Sequence, residues 1–180
     1  MPRIFLAVPL TEEIKNKVLQ VNASNKNMEK IVWMKPENLH VTIYFIGQAS
    51  KENSRLIIEQ IKNILKDQIT IAIQFEKFCP APTEKPRMIW ARFNRNVDFK
   101  TLSNNIHVRI KGLIPNNPFY YDDPIPHITL ARFNSTFEHS LIRFPDVDLK
   151  EIEIKECELW ESVSTKEGVK YESRERFVFG

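Results

Sequence analysis

The sequence predicts an α+β protein of two similar halves, each mostly antiparallel sheet with helices packed outside, facing one another across a central cleft. Adjacent strand patterns are joined by short loops and alternate with helices only loosely, which favours antiparallel pairing over a doubly wound parallel sheet. One tripeptide occurs twice, as His40-Val41-Thr42 and His127-Ile128-Thr129, at starts 87 residues apart (127 minus 40), about half the chain. A chain of 180 residues that is 42% hydrophobic and 27% charged can bury an ordinary core, and residues 1–180 read as one bilobal domain with no linker.

The elements follow in order. Residues 3–9 read as a strand. Thr11 can cap a helix whose first turn is acidic and whose stripe is Ile14, Val18 and Val21, ending near Asn22. Residues 31–34 form a short strand, and Lys35-Pro36-Glu37-Asn38 a turn. Residues 39–46 are the first His/Thr strand. Leu56, Ile57, Ile61, Ile64 and Leu65 mark the buried side of a helix over 51–66. A strand starts at Ile69 and extends towards Phe78; Pro80, Pro82 and Pro86 then signal a loop. Residues 88–93 are a strand. Phe99, Leu102, Ile106, Val108 and Ile110 predict a third helix, to about residue 111. Residues 112–126 are a loop rich in Pro, Asn and Asp, and 127–133 the second His/Thr strand. Residues 152–160 and 169–179 alternate as an antiparallel pair joined through Thr165-Lys166-Glu167-Gly168.

Strand alternation sets the chemistry of the repeated tripeptide. Successive side chains leave a strand on opposite faces. His40 and Thr42 therefore share one face, with Val41, Ile43 and Phe45 behind them. His127 and Thr129 share a face, with Ile128 and Leu130 behind. Two imidazoles on one cleft can serve as general base and general acid, because an unshifted ring titrates near pH 6.5. Thr42 and Thr129 can donate hydrogen bonds to phosphate oxygens, although threonine is also an ordinary strand residue. Arg132 could clamp phosphate through its planar fork. It lies five residues after His127, so strict alternation sends it to the opposite face unless a bulge or strand end turns it inward. Tyr120 and Tyr121, in a polar loop, are candidate base-stacking rings; Phe119 is another candidate. Trp33 reads as core. Lys35, Lys85, Arg87 and Arg92 could steer an anionic ligand or be ordinary surface charge. His107 and His139 have no partner motif and take no role.

Other classes are disfavoured. No His/Cys/carboxylate cluster has the spacing of a catalytic metal site, so no metal is expected. With only four glycines there is no glycine-rich phosphate loop, and no cofactor is expected. The net charge of +3 suits an anionic substrate without forming a dense basic stripe. Cys79 and Cys157 read as buried free thiols in a reducing compartment, with a disulfide between them as the alternative. No stretch approaches a membrane span, and the N-terminus reads as a strand, not a signal peptide. The expected location is cytoplasmic.

These residues carry a resemblance. The pair His40-Val41-Thr42-Ile43 and His127-Ile128-Thr129-Leu130 is similar to the twin motifs of the two-histidine phosphoesterase superfamily, and specifically of the LigT-like RNA 2′,3′-cyclic phosphodiesterases. Arg3-Ile-Phe-Leu-Ala-Val-Pro-Leu resembles their opening strand. Trp33-Met-Lys-Pro-Glu-Asn-Leu-His looks like the approach to their first motif, and the Ala131-Arg132 that follows the second motif like its ending. Leu159 to Tyr171 looks like the closing hairpin. The resemblance implies a bilobal fold with pseudo-two-fold symmetry. It implies metal-independent opening of 2′,3′-cyclic phosphate RNA ends to 2′-phosphate, with 2′–5′ ligation as a reverse reaction in some members. By analogy His127 is the base and His40 the acid. RNA ends or small cyclic nucleotides are the implied partners, and a monomer the expected state. The segment Asn116 to Asp123 lacks the charge cluster expected for RNA contact. The rival readings are a sister activity on another cyclic nucleotide or 2′–5′ oligonucleotide, and a non-catalytic RNA-binding module.

Overall fold

A computed structural model describes residues 2–114, 120–166 and 168–180. It contains nine strands and three helices: β1 (Arg3–Pro9), α1 (Glu12–Ser24), β2 (Ile31–Trp33), β3 (His40–Gln48), α2 (Lys51–Leu65), β4 (Ile71–Ala81), β5 (Met88–Phe93), α3 (Val97–Ile110), β6 (His127–Phe133), β7 (Glu151–Ile154), β8 (Glu156–Thr165) and β9 (Gly168–Val178).

The strands run in the order β7-β4-β5-β6-β3-β1-β8-β9, with β2 added on β6, and every pairing is antiparallel. That order is nearly a palindrome about its centre. The two His/Thr strands, β6 and β3, are the middle neighbours. Outward from them β5 answers β1, β4 answers β8, and β7 answers β9. The α+β expectation, its antiparallel character and the pseudo-symmetric placement of the repeated tripeptide therefore all stand in the structure.

Each helix is built as its sequence suggests. Thr11, Ser50 and Asn96 cap α1, α2 and α3 by accepting from Ile14 N, Asn53 N and Phe99 N. Their apolar stripes (Ile14, Val18, Val21; Ile57, Ile61, Leu65; Phe99, Leu102, Ile106, Ile110) join the main core. On β1 the even residues Ile4, Leu6 and Val8 enter that core, whereas Phe5 and Ala7 face the other side and belong to a smaller cluster with Trp160.

Two stretches differ from expectation. The strand beginning in the 69–78 region runs on through Pro80 to Ala81, because Pro80 and Ala81 still pair with Ile89 and Met88. The single strand expected over 152–160 is two. Residues 151–154 pair with β4; after Lys155 the chain changes partners and pairs with β1 and β9. The burial phase shifts at the same point, from Ile152 and Ile154 to Cys157 and Leu159.

Candidate active site

The centre of the molecule is one residue pair. Val41 of β3 stands opposite Ile128 of β6. In antiparallel register this sets His40 across from Thr129 and Thr42 across from His127. Val41 and Ile128 are fully buried, while all four His and Thr side chains are partly exposed on the opposite face. The sequence pattern and the fold thus bring the four residues together on one face of the sheet.

Both imidazoles are anchored alike. His40 Nδ1 lies 2.7 Å from the carbonyl oxygen of Asn38, and His127 Nδ1 lies 2.8 Å from that of Ile125. A carbonyl only accepts, so each Nδ1 carries the proton and each neutral ring presents its Nε2 lone pair. The Thr42 hydroxyl lies 3.0 Å from His40 Nε2 and donates to it. Among the described residues His127 Nε2 has no such partner.

Arg132 shares this face, against strict alternation. Ile89 pairs with Ala131 and Trp90 with Thr129, so Leu130 is an extra residue in β6. Leu130 and Ala131 are both buried, and the phase then resumes one step later with Arg132 exposed. A β-bulge has re-aimed the side chain. The same device sits in β3, where Leu6 pairs with Tyr44 and Ala7 with Thr42, leaving Ile43 extra. Phe45, expected behind the first motif, is consequently on the His40 face; it packs in the small cluster with Phe5 and Trp160. Each bulge falls three residues after its histidine, and Phe45 holds the position in one half that Arg132 holds in the other.

The rings lie in unlike surroundings. His40 sits 5.1 Å from the rings of Phe5 and Trp160 and 5.3 Å from Tyr171. His127 stacks on Trp90 at 3.7 Å and 18°. Burial against these rings pushes both histidines down from 6.5 to about 4, opposed by the carbonyl that each Nδ1–H meets. The positive charge of Arg132 lowers both further, and His127 lowers His40. Both rings are therefore held below the unshifted value and are neutral at pH 7.

Other sequence candidates lie elsewhere. Tyr120 stacks its ring on His107 of α3 at 3.6 Å, and its hydroxyl reaches Asn104. His107 in turn meets the Tyr44 hydroxyl at 2.8 Å, on the helix side of β3. Tyr121 is 72% exposed on the surface. Phe119 lies outside the described residues. Trp33 packs against the main core, as expected. Arg92 pairs with Glu76 at 2.8 Å; Lys85 and Arg87 are exposed. Sequence reading missed the aromatic shell of Phe5, Phe45, Trp160 and Tyr171, and the indole of Trp90 under His127. These come from strands far apart in the chain, and no local pattern marks them. No group of His, Cys, Asp and Glu able to hold a metal occurs among the described residues, and no helix there is long and apolar enough to cross a membrane.

Known proteins resemble this chain in sequence and in fold. The model of the LigT-like phosphoesterase family matches residues 8–90, which include the first His/Thr strand. A protein of Archaeoglobus fulgidus named RNA 2′,3′-cyclic phosphodiesterase is 24% identical over 173 residues, 94% of this chain and 96% of its own. One of the same name from Aquifex aeolicus is 26% identical over 156 residues, 82% of this chain and 81% of its own. Both extents are too long to fall on one half alone, so the likeness embraces more than the first motif. In fold, a Thermus thermophilus crystal structure matches with TM-score 0.84 at 22% identity, covering 98% of this chain and 97% of that one. Apo LigT of Escherichia coli matches with TM-score 0.77 at 21% identity, over 98% and 97%. With its twin His/Thr strands on one face, the chain is similar to the LigT-like phosphoesterases in sequence over residues 8–90 and in fold over nearly its whole length.

Proposed function

We propose that this protein is an RNA 2′,3′-cyclic phosphodiesterase that opens terminal 2′,3′-cyclic phosphate to 2′-phosphate by metal-independent acid–base catalysis. The single observation that carries the reading is the doubled imidazole–carbonyl anchor: two Nδ1–H groups tied back at 2.7 and 2.8 Å, leaving two Nε2 atoms to the cleft. A binding module has no need of two rings so oriented. The names carried by the long-range relatives support the same substrate.

In this account His127 is the base and His40 the acid. Nε2 of His127 takes a proton from water as the oxygen attacks phosphorus. The bond from phosphorus to O3′ breaks, and His40 Nε2–H gives that oxygen its proton. The phosphate stays on O2′, and the rings exchange roles of charge until solvent resets them. His40 must be protonated when substrate is bound. The phosphodiester anion supplies a negative charge beside a ring that burial and Arg132 otherwise keep neutral, so substrate itself raises the acid into its working form. Thr42 and Thr129 donate to the non-bridging oxygens as charge grows there, and Arg132 grips the same group. Acid–base catalysis of this kind is typically worth about 10²–10⁴-fold.

All of these groups come from one chain, so a monomer suffices. Cys79 and Cys157 are free thiols, which suits a cytoplasmic location. The test is incubation with each 2′,3′-cyclic mononucleotide and with an RNA ending in cyclic phosphate, with and without EDTA. Release of 2′-phosphate product, unaffected by EDTA, supports the reading. Loss of turnover in EDTA overturns the metal-free step. Turnover of only another cyclic or 2′–5′-linked nucleotide overturns the substrate, and binding of RNA without turnover overturns the enzyme.

A further inference from the structure

The two carbonyls that orient the histidines occupy matching places in the pseudo-symmetric halves, yet different devices hold them. Ile125 lies between Pro124 and Pro126, whose rings fix the backbone on either side. The carbonyl of Pro126 also accepts from Phe93 N at 3.0 Å, tying the segment to the end of β5. Asn38 has no such neighbours. It closes a short 3₁₀ turn, Pro36–Asn38, and its side chain is buried with 4% exposure. That side chain reaches more than 130 residues along the chain to the β8–β9 hairpin. Its Nδ2 donates to the Val169 carbonyl at 2.8 Å, and its Oδ1 accepts from Tyr171 N at 3.2 Å. The amide thus meets the edge of β9 at two points, as a neighbouring strand would. The residue it grips there, Tyr171, sets its ring edge-on against His40 at 5.3 Å and 89°.

We infer that Asn38 is a positioning residue for the reaction: its amide fastens the β8–β9 hairpin to the turn before His40. It thereby fixes at once the carbonyl that orients His40 and the Tyr171 ring that covers it. The inference rests on the assignment of His40 as the acid. It makes the two histidines unequal. One is aimed by a proline-flanked backbone, the other by a single side chain that also senses where the hairpin lies.

The groups facing His40 from each packed element define what release would do. They are Phe5 of β1, Thr42 of its own strand, His127 and Arg132 of β6, Trp160 of β8 with its indole on Glu158, and Tyr171 of β9. Only Tyr171 and the Asn38 carbonyl depend on the amide. Without it, water gains the Tyr171 side of the ring and the Nδ1–H loses its fixed partner. The acid is then misaimed while the phosphate seat at Thr42 and Thr129 is untouched. A misplacement of this size can cost about 100-fold in kcat, with little change in KM for a 2′,3′-cyclic mononucleotide.

The test uses the full chain with Asn38→Ala and Asn38→Asp. Asp keeps the volume and the acceptor for Tyr171 N–H but sets an oxygen against the Val169 carbonyl where the donor was, so urea unfolding of both variants is measured alongside to establish that each folds. Ring ¹⁵N shifts of both histidines, exchange of the Tyr171 amide, kcat and KM are measured. The expected result is a changed Nδ1/Nε2 pattern at His40 alone, faster exchange at Tyr171, and a fall in kcat with KM nearly constant. Three outcomes overturn the inference: His40 unmoved although Tyr171 exchanges faster, both histidines perturbed alike, or kcat retained. The ring shifts need no turnover. Wild-type protein inert towards cyclic phosphate therefore defeats the catalytic reading, and an unmoved His40 defeats this one.

Discussion

Replacing His40 and His127 with glutamine should remove a specific part of the protein's acid sensitivity. Each ring titrates near 6.5 when unfolded and about 4 when folded. Between those values the unfolded chain binds protons that the folded chain refuses, so stability rises with pH across the window. The contribution is fully present above about pH 6.5 and lost as pH falls to about 4. At roughly 1.4 kcal/mol per tenfold change, each shift corresponds to about 3 kcal/mol. Solvent reaches the cleft edge of both rings, which trims this towards about 2 kcal/mol each. Glutamine fills similar space and takes no proton in this range. The assay is urea unfolding of wild type and His40→Gln/His127→Gln at closely spaced pH values from 7.5 to 4. Subtracting one curve from the other cancels the carboxylates common to both. The difference should grow steadily below pH 6.5 in the direction of a more acid-resistant variant. A difference that stays flat across that window would refute the claim that these rings are held neutral.

Two further predictions concern the rest of the cleft. Thr42→Val and Thr129→Val keep side-chain shape and remove the hydroxyl; each should lower kcat by about 100-fold, the usual cost of one oxyanion donor, with folding stability nearly unchanged. A kcat within a few-fold of wild type would return both threonines to the status of ordinary strand residues. Arg132→Gln removes the cation that lowers both rings, so both histidines should titrate at higher pH in a ¹H–¹³C NMR titration, and kcat/KM should fall. Unchanged titrations would mean that the bulge at Leu130 does not bring Arg132 to the histidines.

What could be read in advance followed from period and punctuation. Proline-bearing turns and clean alternation placed His40, Thr42, His127 and Thr129 on matching faces, because a period of two leaves no other choice once the apolar side is buried. The same rule misplaces Arg132 and Phe45. Two adjacent apolar residues, Ile43-Tyr44 and Leu130-Ala131, absorb a bulge without leaving a compositional mark, and everything beyond changes face. The split at Lys155 was visible in principle, since Ile152 and Ile154 fall out of step with Cys157 and Leu159. Tyr120 stands in a polar loop, and its stacking on His107 of α3 leaves no local mark in the sequence. The surroundings that decide the histidines' acidity were beyond reach. Phe5, Trp160 and Tyr171 meet His40 from three strands, and Trp90 slides under His127 from a fourth. Burial of this kind is a property of the sheet, not of any segment.

The central claim is that two imidazoles divide the proton transfers, His127 taking and His40 giving. It is tested most directly with a cyclic substrate in which sulfur replaces O3′ as the bridging atom. A thiolate leaves without being protonated, so the acid is no longer required while the base still is. His40→Gln should be severely impaired on the oxygen substrate and recover most of its deficit on the sulfur one, whereas His127→Gln should be impaired on both. Recovery of His127→Gln instead would reverse the roles, and near-normal turnover of the oxygen substrate by either variant would contradict the paired mechanism itself.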